Sequence, residues 1–132
     1  MLMRIVVAYD GSEHAKKALL FLSNLVKDSD EVHIVTVVKE APREPESVII
    51  ETREKAEKTL KHAQDLLKAK AVKTQVLESP SVADAVLGYC KNVNCDMIVT
   101  GSRGLTGIKK AILGSVSSEL VAKSQVPVLV VK

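Results

Sequence analysis

The chain holds almost no aromatic residues: tryptophan is absent, and Tyr9, Phe21 and Tyr89 are the whole set in 132 residues. That is too few to build the stacking platform on which proteins hold single-stranded nucleic acid. Charge of one sign is not concentrated either. Lysines and glutamates are mixed along the chain, the net charge is only +3, and no dense basic block occurs. Nucleic acid is therefore not an expected partner. No run approaches the ~18 apolar residues of a membrane span. The opening "MLMRIVVAYD" reaches Asp10 too early to hold a secretory leader's apolar region and cleavage site. A cytoplasmic chain with no membrane partner is the expectation. Cys90 and Cys95 have no second cysteine pair, and His14, His33 and His62 are scattered. A structural zinc site needs four convergent ligands at recognisable spacings, so buried or half-buried thiols are the expectation here. Glycine is scarce as well, and four of the six glycines fall between 101 and 114.

What is present fits one domain with a single core. "MRIVVAY" (3–9) is a β-branched run that stops at the turn signal "DGS". Ser12 then reads as the N-cap of a helix whose apolar face carries Ala15, Ala18, Leu19, Leu22, Leu25 and Val26. A second strand, "VHIVTVV" (32–38), is apolar nearly throughout, and "KEAPREPES" (39–47) reads as a charged, proline-containing loop. A long helix follows, with Ile49, Thr52, Ala56, Leu60, Ala63 and Leu67 turned inward. "KTQVLE" (73–78) suits a polar edge strand. Ser81 caps a third helix with Val82, Ala85, Val86, Tyr89 and Val93 inward. "DMIVTG" (96–101) is a fourth strand, Val116 to Lys123 a last helix, and "VPVLVV" (126–131) a fifth strand. Strands alternating with helices imply parallel pairing. The continuous apolar strands imply helices on both faces of the sheet. The fold class is α/β, a three-layer sandwich with a five-stranded parallel sheet and four helices.

"TGSRGLTGIKKAILGSVSSEL" runs on from the fourth strand, at the sheet edge where α/β folds hold ligands. Gly101 and Gly104 would let backbone approach a ligand where a β-carbon would collide. Gly114 precedes a helix start at Ser115 and Val116, and helix N-termini attract anions. Ser115 and Ser117 add hydroxyls, Thr100 and Ser102 are further donors, and Arg103, Lys109 and Lys110 are the nearest positive charges. These parts suit a phosphate chain, over which the loop from Leu105 to Leu113 could fold. The alternative is a plain flexible connection in which Ser115 caps a helix. The P-loop, the dinucleotide fingerprint and the nucleophile elbow are all absent.

The spacing Gly101, two residues, Gly104, nine residues, Gly114-Ser115 resembles the G-2x-G-9x-G-[ST] pattern of the nucleotide-binding branch of the universal stress protein family. The resemblance spans 1–132 as one domain, including "IVVAYDGS", "DMIVTGSRG", "GSVS" and "VPVLVV". It implies the adenine nucleotide alpha hydrolase-like fold with strand order 3-2-1-4-5, and ATP in the crevice. By the same resemblance Gly101 and Gly104 border ribose and phosphates, and Gly114, Ser115 and Val116 hold the phosphates. Ala8, Tyr9 and Asp10 line the floor, and Val37 meets adenine. Asp10 takes ribose hydroxyls or a phosphate-bound Mg²⁺. Tyr9 departs from the small or polar residue expected beside that aspartate.

The function these features imply is an ATP-binding stress-response module that works by binding. Two alternatives stay open: a slow ATPase, for which Asp10 and His14 are the titratable candidates near the mouth, and a partner-binding scaffold with AMP or an empty site. No catalytic motif is recognisable. With the family's strand order the last strand lies at an edge, uncharged until Lys132, whereas "KTQVLE" at the other edge is charged and polar. A homodimer through the C-terminal strand is the expectation.

Overall fold

The β-branched runs form the strands that the sequence predicts. β1 (Arg4–Ala8), β2 (Glu31–Val38), β3 (Ala71–Glu78), β4 (Met97–Gly101) and β5 (Val128–Val131) make one parallel sheet in the order β3-β2-β1-β4-β5. The computed structural model describes residues 2–39, 43–67, 69, 71–104 and 113–132. Within them lie helices α1 (Glu13–Leu25), α2 (Glu46–Leu66), α3 (Val82–Val93) and α4 (Ser115–Lys123). β3 starts before the expected "KTQVLE", taking in Ala71 and Val72, and β5 starts only at Val128. Proline at 127 has no N–H to give a ladder.

Two helix starts follow from their caps. Ser12 accepts from the Ala15 N–H and Ser81 from the Asp84 N–H, each through its side-chain oxygen. Between β1 and α1 the chain reverses at Gly11, whose φ of 82° lies in the left-handed region open to glycine.

α1 and α2 cover one face of the sheet, where Ala18, Leu19, Leu22, Leu60 and Ala63 meet Val7, Ile34 and Val99. α3 and α4 cover the other, where Ala83, Val86 and Leu120 meet Val6, Val35 and Ile98. Successive strand residues therefore serve opposite cores, which is why these strands read as continuous apolar runs. Each fully buried leucine contributes on the order of 1.5–3 kcal/mol relative to exposure. α3 sits as expected at Val86, but Ala83 and Cys90 are its other buried residues, while Val82, Ala85, Tyr89 and Val93 are half-buried.

Two expectations need correction. Leu25 at the end of α1 is exposed, and Ile49 and Thr52 of α2 do not face the core. The whole stretch 46–55 is exposed, and α2 buries residues only from Ala56 onward. At 21 residues α2 is about 31 Å long, more than the roughly 26 Å of the eight-residue β2 beneath it, so its first turns run past the core. The second correction concerns the cysteines. Cys90 and Cys95 are buried as expected, but they form a disulfide instead of standing as thiols. α3 ends at Asn94 in a left-handed turn, φ 54° and ψ 51°, whose N–H bonds back to the carbonyls of Cys90 and Lys91. That reversal brings the two cysteine Cα atoms to 4.9 Å, a separation disulfides span.

β1 is central, with β2 on one side and β4 on the other, and Ala8 stands in register with both Val35 and Thr100. The chain winds outward in both directions from β1, so the switch point lies between β1 and β4. Their carboxyl ends open the crevice in which folds of this kind bind ligands.

Candidate functional site

A cavity of about 630 Å³ occupies that crevice. Twelve of the candidate residues from the sequence line it. β1 and the turn after it supply Ala8, Tyr9 and Asp10, β2 supplies Val37, and β4 supplies Thr100 and Gly101. The following turn supplies Arg103 and Gly104, and the start of α4 supplies Gly114, Ser115, Val116 and Ser117. Of the loop expected to fold over the cavity, Leu113 is a lining residue. Residues 105–112, with Gly107, Lys109 and Lys110, lie outside the described residues.

The cavity has two chemically different ends. On the β2 side it is a slot between Val35 and Val37 on the strand and Val82 and Val86 on α3. On the β4 side lies the N-terminus of α4. Gly114 is the N-cap and offers no side-chain cap, and Gly114 to Ser117 at this helix start line the cavity. Arg103 stands beside them, and its Nε is buried with no hydrogen-bond partner among the described residues. An unpaired buried guanidinium nitrogen at an uncapped helix start favours an anion.

The glycines have a different physical reason from the one the sequence suggested. A β-carbon at Gly101 would lie 2.6 Å from the His14 carbonyl carbon, 2.8 Å from its oxygen and 2.9 Å from the Ala15 nitrogen. Gly101 is therefore a seat for the first turn of α1. At Gly114 a β-carbon would come within 3.3 Å of Arg103 Cα and of the Ser102 oxygen. At Gly104 it would meet Asp10 Oδ2 at 2.7 Å. All three glycines close protein against protein, and in doing so they shape the rim of the cavity.

Several hydroxyls are committed to the scaffold. Ser117 donates to the Ser102 carbonyl at 2.9 Å, with the Gly114 carbonyl at 3.2 Å as a second acceptor, and Thr100 donates to the Gly101 carbonyl at 3.2 Å. Ser117 thus ties α4 to the 102–104 turn, with its hydroxyl directed at main-chain carbonyls. Ser102 is buried, its hydroxyl 3.3 Å from His14 Nδ1, and its N–H donates to the Val131 carbonyl of β5. Neither Ser102 nor His14 lines the cavity. Ser115 is exposed at the mouth.

Asp10 Oδ1 accepts from the Ser12 N–H at 2.9 Å, an Asx turn leading into α1, while Oδ2 faces Gly104 across the crevice. Among the described lining residues Asp10 is the one carboxylate, and no group of three or more metal-ligating side chains occurs among the described residues. Tyr9 is 3% exposed and its hydroxyl finds no partner among the described residues. Burial, and then the charges of Asp10 and Glu13, push this phenol above its usual pKa, so it stays a neutral donor.

Ala15, Val35, Lys39, Val82 and Val86 also line the cavity and were missed. For two of them the signal was period-two alternation: Val35 and Lys39 share one face of β2 and its continuation with Val37. Val82 and Val86 are one helical turn apart on the inward face of α3.

The chain matches the universal stress protein family over residues 1–132. Stress response protein NhaX of Bacillus subtilis is 33% identical over 98% of this chain and 97% of its own length. Universal stress protein YxiE of the same organism is 32% identical over 100% of both. Among solved structures, the universal stress protein from Archaeoglobus fulgidus in complex with dAMP is similar at a TM-score of 0.75 and 25% identity, covering 98% of each chain. The five-stranded sheet with four helices is the adenine nucleotide alpha hydrolase-like fold of these structures. By sequence, by strand order and by the crevice at its switch point, this chain belongs to the universal stress protein family.

Proposed function

We propose that this chain binds an adenine nucleotide, ATP foremost, and acts by binding. One observation carries the reading: a single cavity joins an apolar slot to an anion-seeking end. Val35, Val37, Val82 and Val86 suit the two faces of a purine, and the α4 N-terminus with Arg103 suits phosphates. Ala8 and Tyr9 would form the floor beneath the ribose. The dAMP complex of the Archaeoglobus fulgidus relative supports the same ligand class. ADP and AMP fit the same chemistry.

Mg²⁺ belongs to this proposal as a companion of the phosphates. With one lining carboxylate, the ion would rest mainly on phosphate oxygens, and Asp10 Oδ2 would complete its shell. Hydrolysis would need a group that positions water. His14, one of the two candidates, has its ring directed at Ser102, which supports binding over turnover. A homodimer through β5 is a further part of the proposal. β5 is an edge strand of half-buried valines and leucine with no charge, whereas the other edge, β3, exposes Lys73 and Glu78. The cytoplasmic location read from the sequence belongs here too. No helix among the described residues is long and apolar enough to cross a membrane.

The direct test is to extract freshly purified protein with acid and identify any nucleotide by mass. Recovery of ATP, ADP or AMP in proportion to protein is expected. Protein that neither retains nor rebinds any of the three would overturn the reading.

A further inference from the structure

The disulfide stands at the far end of one wall of the cavity. α3 carries Val82 and Val86 in the apolar slot, and Cys90 follows them at the same four-residue spacing, so the three share one side of the helix. Val86 serves both regions. It lines the cavity, and it is fully buried in the core that holds Cys90, Cys95, Ile98 and Leu120. Cys95 lies just before β4, so the disulfide ties the last turn of α3 to the strand that brings Thr100 and Gly101 to the cavity. On β2 the same turn has a second anchor, the Tyr89 hydroxyl at 2.7 Å from His33 Nδ1.

Three features mark this bond as one that opens and closes. Its partners are five residues apart, and so short a loop is stabilised least by cross-linking. The residues it spans include Lys91, Asn92 and Asn94, all exposed, so a local opening of the last turn admits a thiol. In the cytoplasmic location proposed above, disulfides are rare, and those that form are mostly transient or redox-sensing. Both cysteines are buried among aliphatic side chains, where a free cysteine packs as a small hydrophobe, so the reduced chain also has a folded state. That state is packed differently. Two sulfurs that shared a bond must stand at van der Waals separation in a close-packed core. β4 is held by β1 and β5 on its two sides, so α3 is the element that gives way.

We propose that Cys90–Cys95 is a redox site through which a low-molecular-weight thiol sets nucleotide affinity. A thiolate attacks one sulfur and forms a mixed disulfide, and the departing cysteine sulfur takes up a proton. A second thiolate attacks the mixed disulfide, releasing the small disulfide and the other cysteine, which is protonated in turn. The protein disulfide thus gains two electrons and two protons, and two small thiols become one disulfide. Reduction loosens α3, so the slot wall is seated in a smaller share of molecules, and apparent affinity falls by that share. The coupling rests on the nucleotide-binding reading above; the redox chemistry does not.

The test compares wild-type protein with Cys90→Ala/Cys95→Ala across buffers of reduced and oxidised glutathione. Free thiols are counted by alkylation and mass, ATP affinity is measured by calorimetry, and α3 is followed by amide hydrogen exchange. Wild-type protein should pass from no alkylated cysteine to two with its circular dichroism unchanged. Exchange over residues 86–93 should quicken, and ATP should bind roughly five- to tenfold more weakly. By linkage, saturating ATP should shift the glutathione midpoint by the same factor, about 30 mV for tenfold. The double variant should bind ATP as the reduced protein does and ignore the buffer. Cysteines that are alkylated before any reductant is added, or only after denaturation, overturn the proposal. So does an equal loss of ATP affinity on reduction in the double variant. ATP bound in neither state removes the nucleotide reading and the coupling with it, whereas ATP bound equally in both states overturns the coupling alone.

Discussion

Replacing Gly101 by alanine separates two reasons for a glycine at the end of β4. If the position is spared for a ligand, alanine should reduce nucleotide affinity and leave stability intact. The structure points the other way. The added carbon would sit 2.6, 2.8 and 2.9 Å from three backbone atoms of His14 and Ala15. The shortest of these is about 0.8 Å inside ordinary contact distance. No rotamer can relieve it, because the opposing atoms are main chain in the first turn of α1. That turn must lift off β4, disturbing the buried Ala15 and the Ser12 cap together. Overpacking of this kind costs about 1–3 kcal/mol, and a clash against backbone belongs at the upper end. With a urea m-value near 2 kcal/mol/M, about 3 kcal/mol lowers the unfolding midpoint by roughly 1.5 M. Urea titration followed by circular dichroism measures this, with an unchanged slope as the sign that only stability moved. A Gly101→Ala protein with the wild-type midpoint and weakened ATP binding would refute the packing argument and restore the ligand-clearance one.

Other substitutions test other parts of the fold. Ser81→Ala removes the cap on the Asp84 N–H and should cost about 1 kcal/mol, a melting-temperature fall of roughly 3–5 °C; an unchanged melting curve would mean that water caps α3 equally well. Glu31 is held below the usual carboxylate range, first by its hydrogen bond from His33 and then by Lys73. Its stabilising effect is therefore full above that range and is lost as pH falls through the depressed value, so Glu31→Gln should cost stability at neutral pH and progressively less in acid; a penalty constant from pH 7 to about 3 would contradict this. Val128→Lys with Val130→Lys places charge on the β5 edge and should give monomers where light scattering finds wild-type dimers, and wild-type protein already monomeric at micromolar concentration would end the dimer proposal.

Much of this fold is legible because its local chemistry and its tertiary structure agree. Ser12 and Ser81 cap where a serine before an apolar-periodic run should, and the β-branched runs of β1, β2 and β4 are buried on both faces. The strand order came from the family resemblance, since periodicity says nothing about which strands adjoin. The site was legible as a set of positions but not as a set of roles. Nothing in "TGSRG" says that α1 will come to rest on Gly101, because that neighbour is 87 residues earlier in the chain. Likewise Ser117 reads as a free hydroxyl until the carbonyl of Ser102 is found beneath it. Ile49 misled because helical period marks a face without saying how far the sheet extends below it. Lys39 was hidden inside a charged stretch read as loop, although its alternation with Val35 and Val37 was in plain view. The cysteine pairing depended on the left-handed turn at Asn94, which spacing alone does not specify.

On the proposed function, the crevice at the β1–β4 switch point holds an adenine nucleotide by its phosphates and its base. Calorimetric titration of ATP and of AMP into nucleotide-stripped wild-type protein, alongside Arg103→Met, tests it most directly. One nucleotide per chain is predicted for the wild type. Arg103→Met should weaken ATP by roughly tenfold or more, since its unpaired Nε stands at the anion-seeking end. No saturable heat from either nucleotide at millimolar concentration, or ATP affinity indifferent to the loss of Arg103, would contradict the account.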